Sequence, residues 1–173
     1  LRGGGPSIVP YLENSDQDYL PDVFTIEFDI WFGYSYATMY LYDRKNQKAQ
    51  NADQDYITLG YNYLELYGSK SMYPAELKEK RWGHIAVAYT NGKLKAYLDD
   101  TRLINIPRLD NNPTGLSIYS YHARDEYPIY IKNIRIAEGG VKFYDRVLED
   151  GKIIANGIRF DVGKATLKPE SMG

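Results

Sequence analysis

A chain of 173 residues fits one domain with a short tail, and at that length it buries roughly 70% of its unfolded surface, enough to hold a core without a staple. It contains no cysteine, which excludes a disulfide framework, a cysteine-ligated zinc site and a thiol nucleophile. With 21 basic and 23 acidic residues the net charge is −2 and no Lys/Arg block could neutralise a row of phosphates, which argues against nucleic acid as a partner, and no apolar run approaches the roughly 20 residues of a transmembrane helix.

Alternation dominates the chain. Pro21-Asp22 makes a turn, and from 24 to 32 every even position is apolar (Phe24, Ile26, Phe28, Ile30, Phe32). The odd positions hold Thr25, Glu27, Asp29 and Trp31, so period two over nine residues predicts a strand with one buried face. Residues 34–43 alternate again, with Tyr34, Tyr36, Thr38, Tyr40 and Tyr42 on one face and Ala37, Met39 and Leu41 on the other. The polar stretch 44–54 reads as an exposed loop, and strands resume at 56–59 and 63–67. Pro74 to Lys80 carries the one helical hint.

The clearest hairpin joins 84–90 to 93–98 through Asn91-Gly92, the strongest short-range signal for a type I′ turn. A two-residue loop pairs Thr90 with Lys93, Tyr89 with Leu94, Val87 with Ala96 and Ile85 with Leu98, and this register gathers the apolar side chains on one face. Further strands are expected at 115–121 and 128–136. Ile129 and Ile131 share a parity that Ile134 and Ile136 break, so a bulge or bend is expected near Lys132-Asn133. Gly139-Gly140 marks a break before a mixed tail, in which Gly157-Ile158-Arg159-Phe160-Asp161 reads as one more short strand. Many short strands with regular turns predict an all-β fold, a two-sheet antiparallel sandwich. Tyrosine is the compositional outlier, 18 against 5 Phe, and suits half-buried pleated surfaces or a ring-rich binding face.

Two stretches resemble known families. Phe24-Thr25-Ile26-Glu27-Phe28, then Arg81-Trp82-Gly83-His84-Ile85-Ala86-Val87-Ala88-Tyr89 and Asn91-Gly92-Lys93-Leu94-Lys95-Ala96-Tyr97-Leu98-Asp99, resemble laminin-G-like and concanavalin A-like jelly rolls in residue type and order. The resemblance covers residues 7–138 and implies a concanavalin A-like jelly roll, although Asp100 stands where the family usually has Gly. Gly157-Ile158-Arg159-Phe160-Asp161-Val162-Gly163-Lys164-Ala165-Thr166-Leu167-Lys168-Pro169-Glu170-Ser171 resembles the opening of OmpA-like C-terminal domains, which bind peptidoglycan in the Gram-negative periplasm. The residues that hold the peptidoglycan peptide in that family lie downstream of this match. Together the two resemblances imply an OmpA-family envelope protein of the Bacteroides type. Residues 139–173 would then be a linker and the first strand of a truncated OmpA-like domain, and the chain would sit in the cell envelope, outer-membrane-associated or periplasmic. The partners so implied are a glycan or an envelope protein for the jelly roll, and peptidoglycan for the downstream domain.

The candidate ligand-binding residues are Trp31, Tyr34, Tyr36, Tyr40 and Tyr42, whose rings could cover the apolar face of a pyranose, with Glu27 and Asp29 to bond its hydroxyls. The same tyrosines could instead simply cover the second face of a sandwich or contact the tail. Glu27-Phe28-Asp29-Ile30-Trp31 is also the one catalytic temptation, because β-glucanases of the jelly-roll kind place a nucleophile, a helper Asp and an acid/base Glu along one strand. Here Trp31 and Phe32 stand where the acid/base would be, so the expectation is a non-catalytic module, with a remote jelly-roll glycoside hydrolase as the alternative. No cofactor is expected except, by resemblance to calcium-holding laminin-G-like rims, Ca2+ at Asp99, Asp100 and Asp110 beside Asn111 and Asn112, residues that equally serve as turn formers. Of the two histidines, His84 and His122, the first is expected to be a structural hydrogen bonder.

Overall fold

The computed structural model describes residues 6–10, 18–33, 36–42, 56–120 and 125–139. The chain divides into two units, Leu1–Gly140 and Val141–Gly173, and all described residues belong to the first. The tail strand expected at 157–161, His122 and the loop 44–54 lie outside the described residues.

The strands, in chain order, are β1 (Ser7–Ile8), β2 (Val23–Phe32), β3 (Ala37–Tyr40), β4 (Tyr56–Gly60), β5 (Tyr63–Leu66), β6 (Ser69–Met72), β7 (Arg81–Thr90), β8 (Lys93–Leu98), β9 (Thr101–Ile106), β10 (Ser117–Ser120) and β11 (Tyr130–Glu138). They form a six-stranded sheet, β1-β10-β3-β4-β5-β6, and a five-stranded sheet, β11-β2-β7-β8-β9. Every pairing is antiparallel. The fold is an antiparallel two-sheet jelly-roll sandwich, with no helix among the described residues. Pro74 to Lys80 forms bends rather than the helical turn expected of it: seven residues with one Pro and no apolar stripe cannot offset the cost of helix nucleation.

The core lies where alternation put it. Phe24, Ile26, Phe28, Ile85, Val87, Leu94 and Leu98 are fully buried, and Ala37, Met39, Ile57, Leu59 and Leu64 meet them from the six-stranded sheet. The central hairpin has the expected register from Ile85↔Leu98 to Thr90↔Lys93. Its turn is type I′ in kind, since Asn91 (φ 46°) and Gly92 (φ 86°) both have positive φ, which right-handed strand twist favours in a two-residue loop. The next turn differs from the family-based expectation: Asp99, and not Asp100, takes the left-handed conformation (φ 52°).

The parity break in β11 is a bulge. Lys132 pairs with Asp29 and Arg135 with Glu27, so Asn133 and Ile134 together oppose the single residue Phe28. Asn133 is left-handed (φ 56°), a conformation that Asn tolerates better than most side chains. The extra residue returns Ile136 to the inward face opposite Ile26 and keeps Lys132 and Arg135 outward.

Candidate functional site

Pairing residue by residue turns the outward face of the five-stranded sheet into rows that run across strands. Along β2, Trp31, Asp29 and Glu27 project outward because Phe32, Ile30, Phe28 and Ile26 project inward. Trp31 lies between Tyr130 on β11 and Trp82 on β7, which makes an aromatic row. The Trp31 and Trp82 rings meet edge to face, centroids 5.9 Å apart, and Trp82 and Tyr130 are 40% and 55% exposed. The row beside it is polar: Lys132, Asp29 and His84, followed by Asp99 at the end of β8.

That polar row is already ordered. His84 Nδ1 donates to Asp29 Oδ1 at 2.8 Å, and Asn133 Nδ2, aimed by the bulge, donates to Asp29 Oδ2 at 2.7 Å. The two bonds, with the lesser charge effects of His84 and Lys132, outweigh desolvation and hold the Asp29 carboxyl below its ordinary value. Asp99 Oδ1 accepts from the His84 backbone N–H at 3.0 Å, and Asp99 Oδ2 pairs with Arg81 Nη1 at 3.0 Å. The Arg81 guanidinium also donates to the Tyr61 carbonyl oxygen, from Nε at 3.2 Å and from Nη2 at 3.0 Å, which ties this end of the five-stranded sheet to the β4–β5 turn of the other sheet. Lys132 Nζ lies 4.0 Å from the centroid of the Trp82 ring. His84 is thus the structural hydrogen bonder expected, and its Nε2 remains on a side chain that is 42% exposed.

The sequence-based set of ligand residues divides between two faces. Trp31, Glu27 and Asp29 lie together on the outward face of the five-stranded sheet. Tyr40 lies on the outward face of the six-stranded sheet, on the opposite side of the sandwich, with Tyr36 and Tyr42 next to the strand that carries it. Tyr34 lies outside the described residues. Alternation assigns a side chain to a face of its strand but does not say which sheet the strand joins, and β2 and β3, though consecutive, join different sheets. The tyrosine face also spends its rings on itself. Tyr40 is 5.2 Å from Tyr42, 5.6 Å from Tyr56 and 6.5 Å from Tyr119, centroid to centroid, and Tyr42, Thr38 and Ser117 are buried there.

Among the described residues no group of three or more His, Cys, Asp or Glu side chains comes together that could hold an ion. Asp99 bonds the His84 backbone N–H on the neighbouring strand and pairs with Arg81. The glucanase-like arrangement is not assembled either. Glu27 has Ala86 and Arg135 as its cross-strand neighbours, so no second carboxylate faces it there.

Trp82, Lys132, Asn133 and Tyr130 escaped the sequence reading as site residues. Trp82 had a signal, since it opens an alternating strand at outward parity. Its position beside Trp31 depends on a β2–β7 register 51 positions apart in the chain, which nothing local specifies.

No protein-family model matches the sequence, and no curated protein sequence matches it. Solved structures resemble its fold. A tetrameric galectin from the ball sponge Cinachyrella sp. aligns over 76% of this chain and 97% of its own at 9% identity, with a TM-score of 0.50. A carbohydrate binding module, CBM66, from Bacillus subtilis aligns over 68% and 76% at 16% identity and a TM-score of 0.43. Domain 4 of AbnA, an extracellular arabinanase from Geobacillus stearothermophilus, aligns over 76% and 67% at 13% identity, also at 0.43. At such identities the likeness concerns the fold.

Proposed function

We propose that the domain is a non-catalytic glycan-binding module and that its binding face is the tryptophan-bearing outward face of the five-stranded sheet. One observation carries this reading: two tryptophans, fixed in contact by strand pairing, stand at the surface beside a polar row whose side chains already hold one another in place. A rigid aromatic surface covers the apolar face of a sugar ring at small entropic cost, and pre-ordered polar groups reach its hydroxyls without further ordering. Fold alone does not assign function, so the reading rests on these side chains and not on the galectin-like frame. Catalysis is set aside because no carboxylate faces Glu27 from its neighbouring strands.

The resemblance of residues 157–171 to the opening of OmpA-like domains supports the finer part of the proposal. The module would belong to a cell-envelope protein, outer-membrane-associated or periplasmic, that a further OmpA-like domain attaches to peptidoglycan. A glycan-array screen of the wild-type chain and of Trp31→Ala and Trp82→Ala variants tests the binding reading. The expected result is a defined set of bound glycans that both variants lose. Binding that survives in the double variant moves the site elsewhere, and a wild-type chain that binds nothing leaves a structural spacer.

A further inference from the structure

On the reading of the tryptophan face as a glycan surface, the state of its polar groups points to the kind of sugar. Both oxygens of Asp29 and both oxygens of Asp99 already accept hydrogen bonds from His84, Asn133 and Arg81. The carboxylate oxygens of the polar row are therefore already occupied as acceptors. Glu27, one row further from the tryptophans, faces the cation Arg135. Lys132 is different: its ammonium lies over the exposed Trp82 ring, 4.0 Å from the centroid, and among the described residues no carboxylate lies within ion-pair distance of it. The ammonium is held against an aromatic face, and the carboxylate whose charge it feels, Asp29 across the strand pair, has both oxygens bonded to His84 and Asn133, so the ammonium makes no direct ion pair on the surface where a sugar ring would stack. His84 adds the complement. With Nδ1 bonded to Asp29, Nε2 is the second ring nitrogen, on a side chain 42% exposed, to which a ring hydroxyl can bond.

We infer that the tryptophan face selects sugars carrying a carboxylate, uronic acid residues of a polysaccharide, with the ring on Trp31 and Trp82, the carboxylate on Lys132 and a ring hydroxyl on His84 Nε2. A single unpaired ammonium matches one carboxylate per sugar unit, and a hydroxyl donor beside that carboxylate is what a uronate ring presents. A neutral sugar meets the same rings and the same imidazole but leaves the ammonium unanswered.

The test uses matched ligands. Oligomers of galacturonate, mannuronate and a glucuronate-containing glycan are each compared with their carboxyl-reduced forms, which keep linkage and stereochemistry and lose only the charge. Binding is measured by calorimetry on the full chain at low and at raised salt. The inference expects at least one acidic oligomer to bind tenfold or more tightly than its reduced partner, with the preference shrinking as salt is added. Lys132→Met, which keeps the stem over the ring, abolishes that preference and leaves the weaker binding of the reduced form; Lys132→Arg restores it. Circular dichroism confirms that the variants fold. Equal binding of acidic and reduced forms, or a preference that survives Lys132→Met, overturns the inference and leaves the glycan reading standing. Binding confined to neutral glycans does the same. Absence of binding to acidic, reduced and neutral glycans alike overturns both.

Discussion

Gly83 sits in β7 between Trp82 and His84, opposite Ile30, and its missing side chain is what lets the Phe32 ring lie against the sheet. A Cβ built at this position would come within 2.8 Å of Phe32 Cε2 and 3.2 Å of Leu98 Cδ1, closer than side-chain carbons approach without displacement. Both neighbours are fully buried, so neither has solvent to move into. Overpacking of this kind costs about 1–3 kcal/mol. Replacing a strand glycine by alanine returns about 0.5–1 kcal/mol of backbone entropy. Gly83→Ala should therefore change the stability of the domain by a net loss of ~0–2.5 kcal/mol. The origin of that loss is checked by a double-mutant cycle with Phe32→Leu, which trims the ring that clashes. If the clash is with Phe32, urea unfolding of the four proteins should show Gly83→Ala costing about 1 kcal/mol less in the Phe32→Leu background than in the wild type. Strict additivity would refute the argument that Phe32 packs into the space Gly83 leaves.

The remaining expectations concern the turn, the bridge and the polar row. Gly92→Ala meets no atom within 4 Å, so its cost should be purely conformational, about 1–2 kcal/mol for a left-handed alanine at φ 86°, seen as a lowered denaturation midpoint at unchanged slope. Arg81→Ala frees the Tyr61 carbonyl and leaves Asp99 without its cation; a loss of about 1–3 kcal/mol is expected in the same assay, and Arg81→Lys, which cannot span both acceptors as a fork, should recover only part of it. Because Asp29 is held below its ordinary value in the folded state, its contribution to stability is present above the unfolded carboxylate value near pH ~4 and is lost as pH falls through the lower folded value. Unfolding measured from pH 7 down to pH 2 should show a steeper acid loss in the wild type than in Asp29→Asn; identical pH profiles would contradict the hydrogen-bonded carboxylate described above.

Much of the fold was legible because local signals agreed with one another. Asn91-Gly92 fixed a two-residue turn, the turn fixed the pairing of Ile85 with Leu98, and the same register placed Ile85, Val87, Tyr89, Leu94, Ala96 and Leu98 inward. The mismatch between Ile131 and Ile134 announced a bulge or bend near Lys132-Asn133 before any strand partner was known. The short strands β1, β6 and β9 were not anticipated. Ser69–Met72 and Ser7–Ile8 offer four and two residues with almost no alternation, and such strands are held by their neighbours rather than by their own pattern. The site was half legible. Trp31, Glu27 and Asp29 could be assigned to an outward face from β2 alone, whereas Trp82, Asn133 and Lys132 join them only through pairings with β7 and β11, which are tertiary facts. Tyr36, Tyr40 and Tyr42 were grouped with Trp31 because alternation is blind to the crossing of the chain from one sheet to the other.

Trp31 and Trp82 are the only two tryptophans in the chain and stand in contact in the proposed site, so intrinsic tryptophan emission reports on that face and on no other. The most direct measurement is a fluorescence titration, with acrylamide quenching, run in parallel with calorimetry on a glycan that the array identifies. The account predicts a saturable change in emission and a loss of quencher access at the concentrations where heat is released. Heat of binding with emission and quenching unchanged would place the sugar away from the tryptophans and contradict the account.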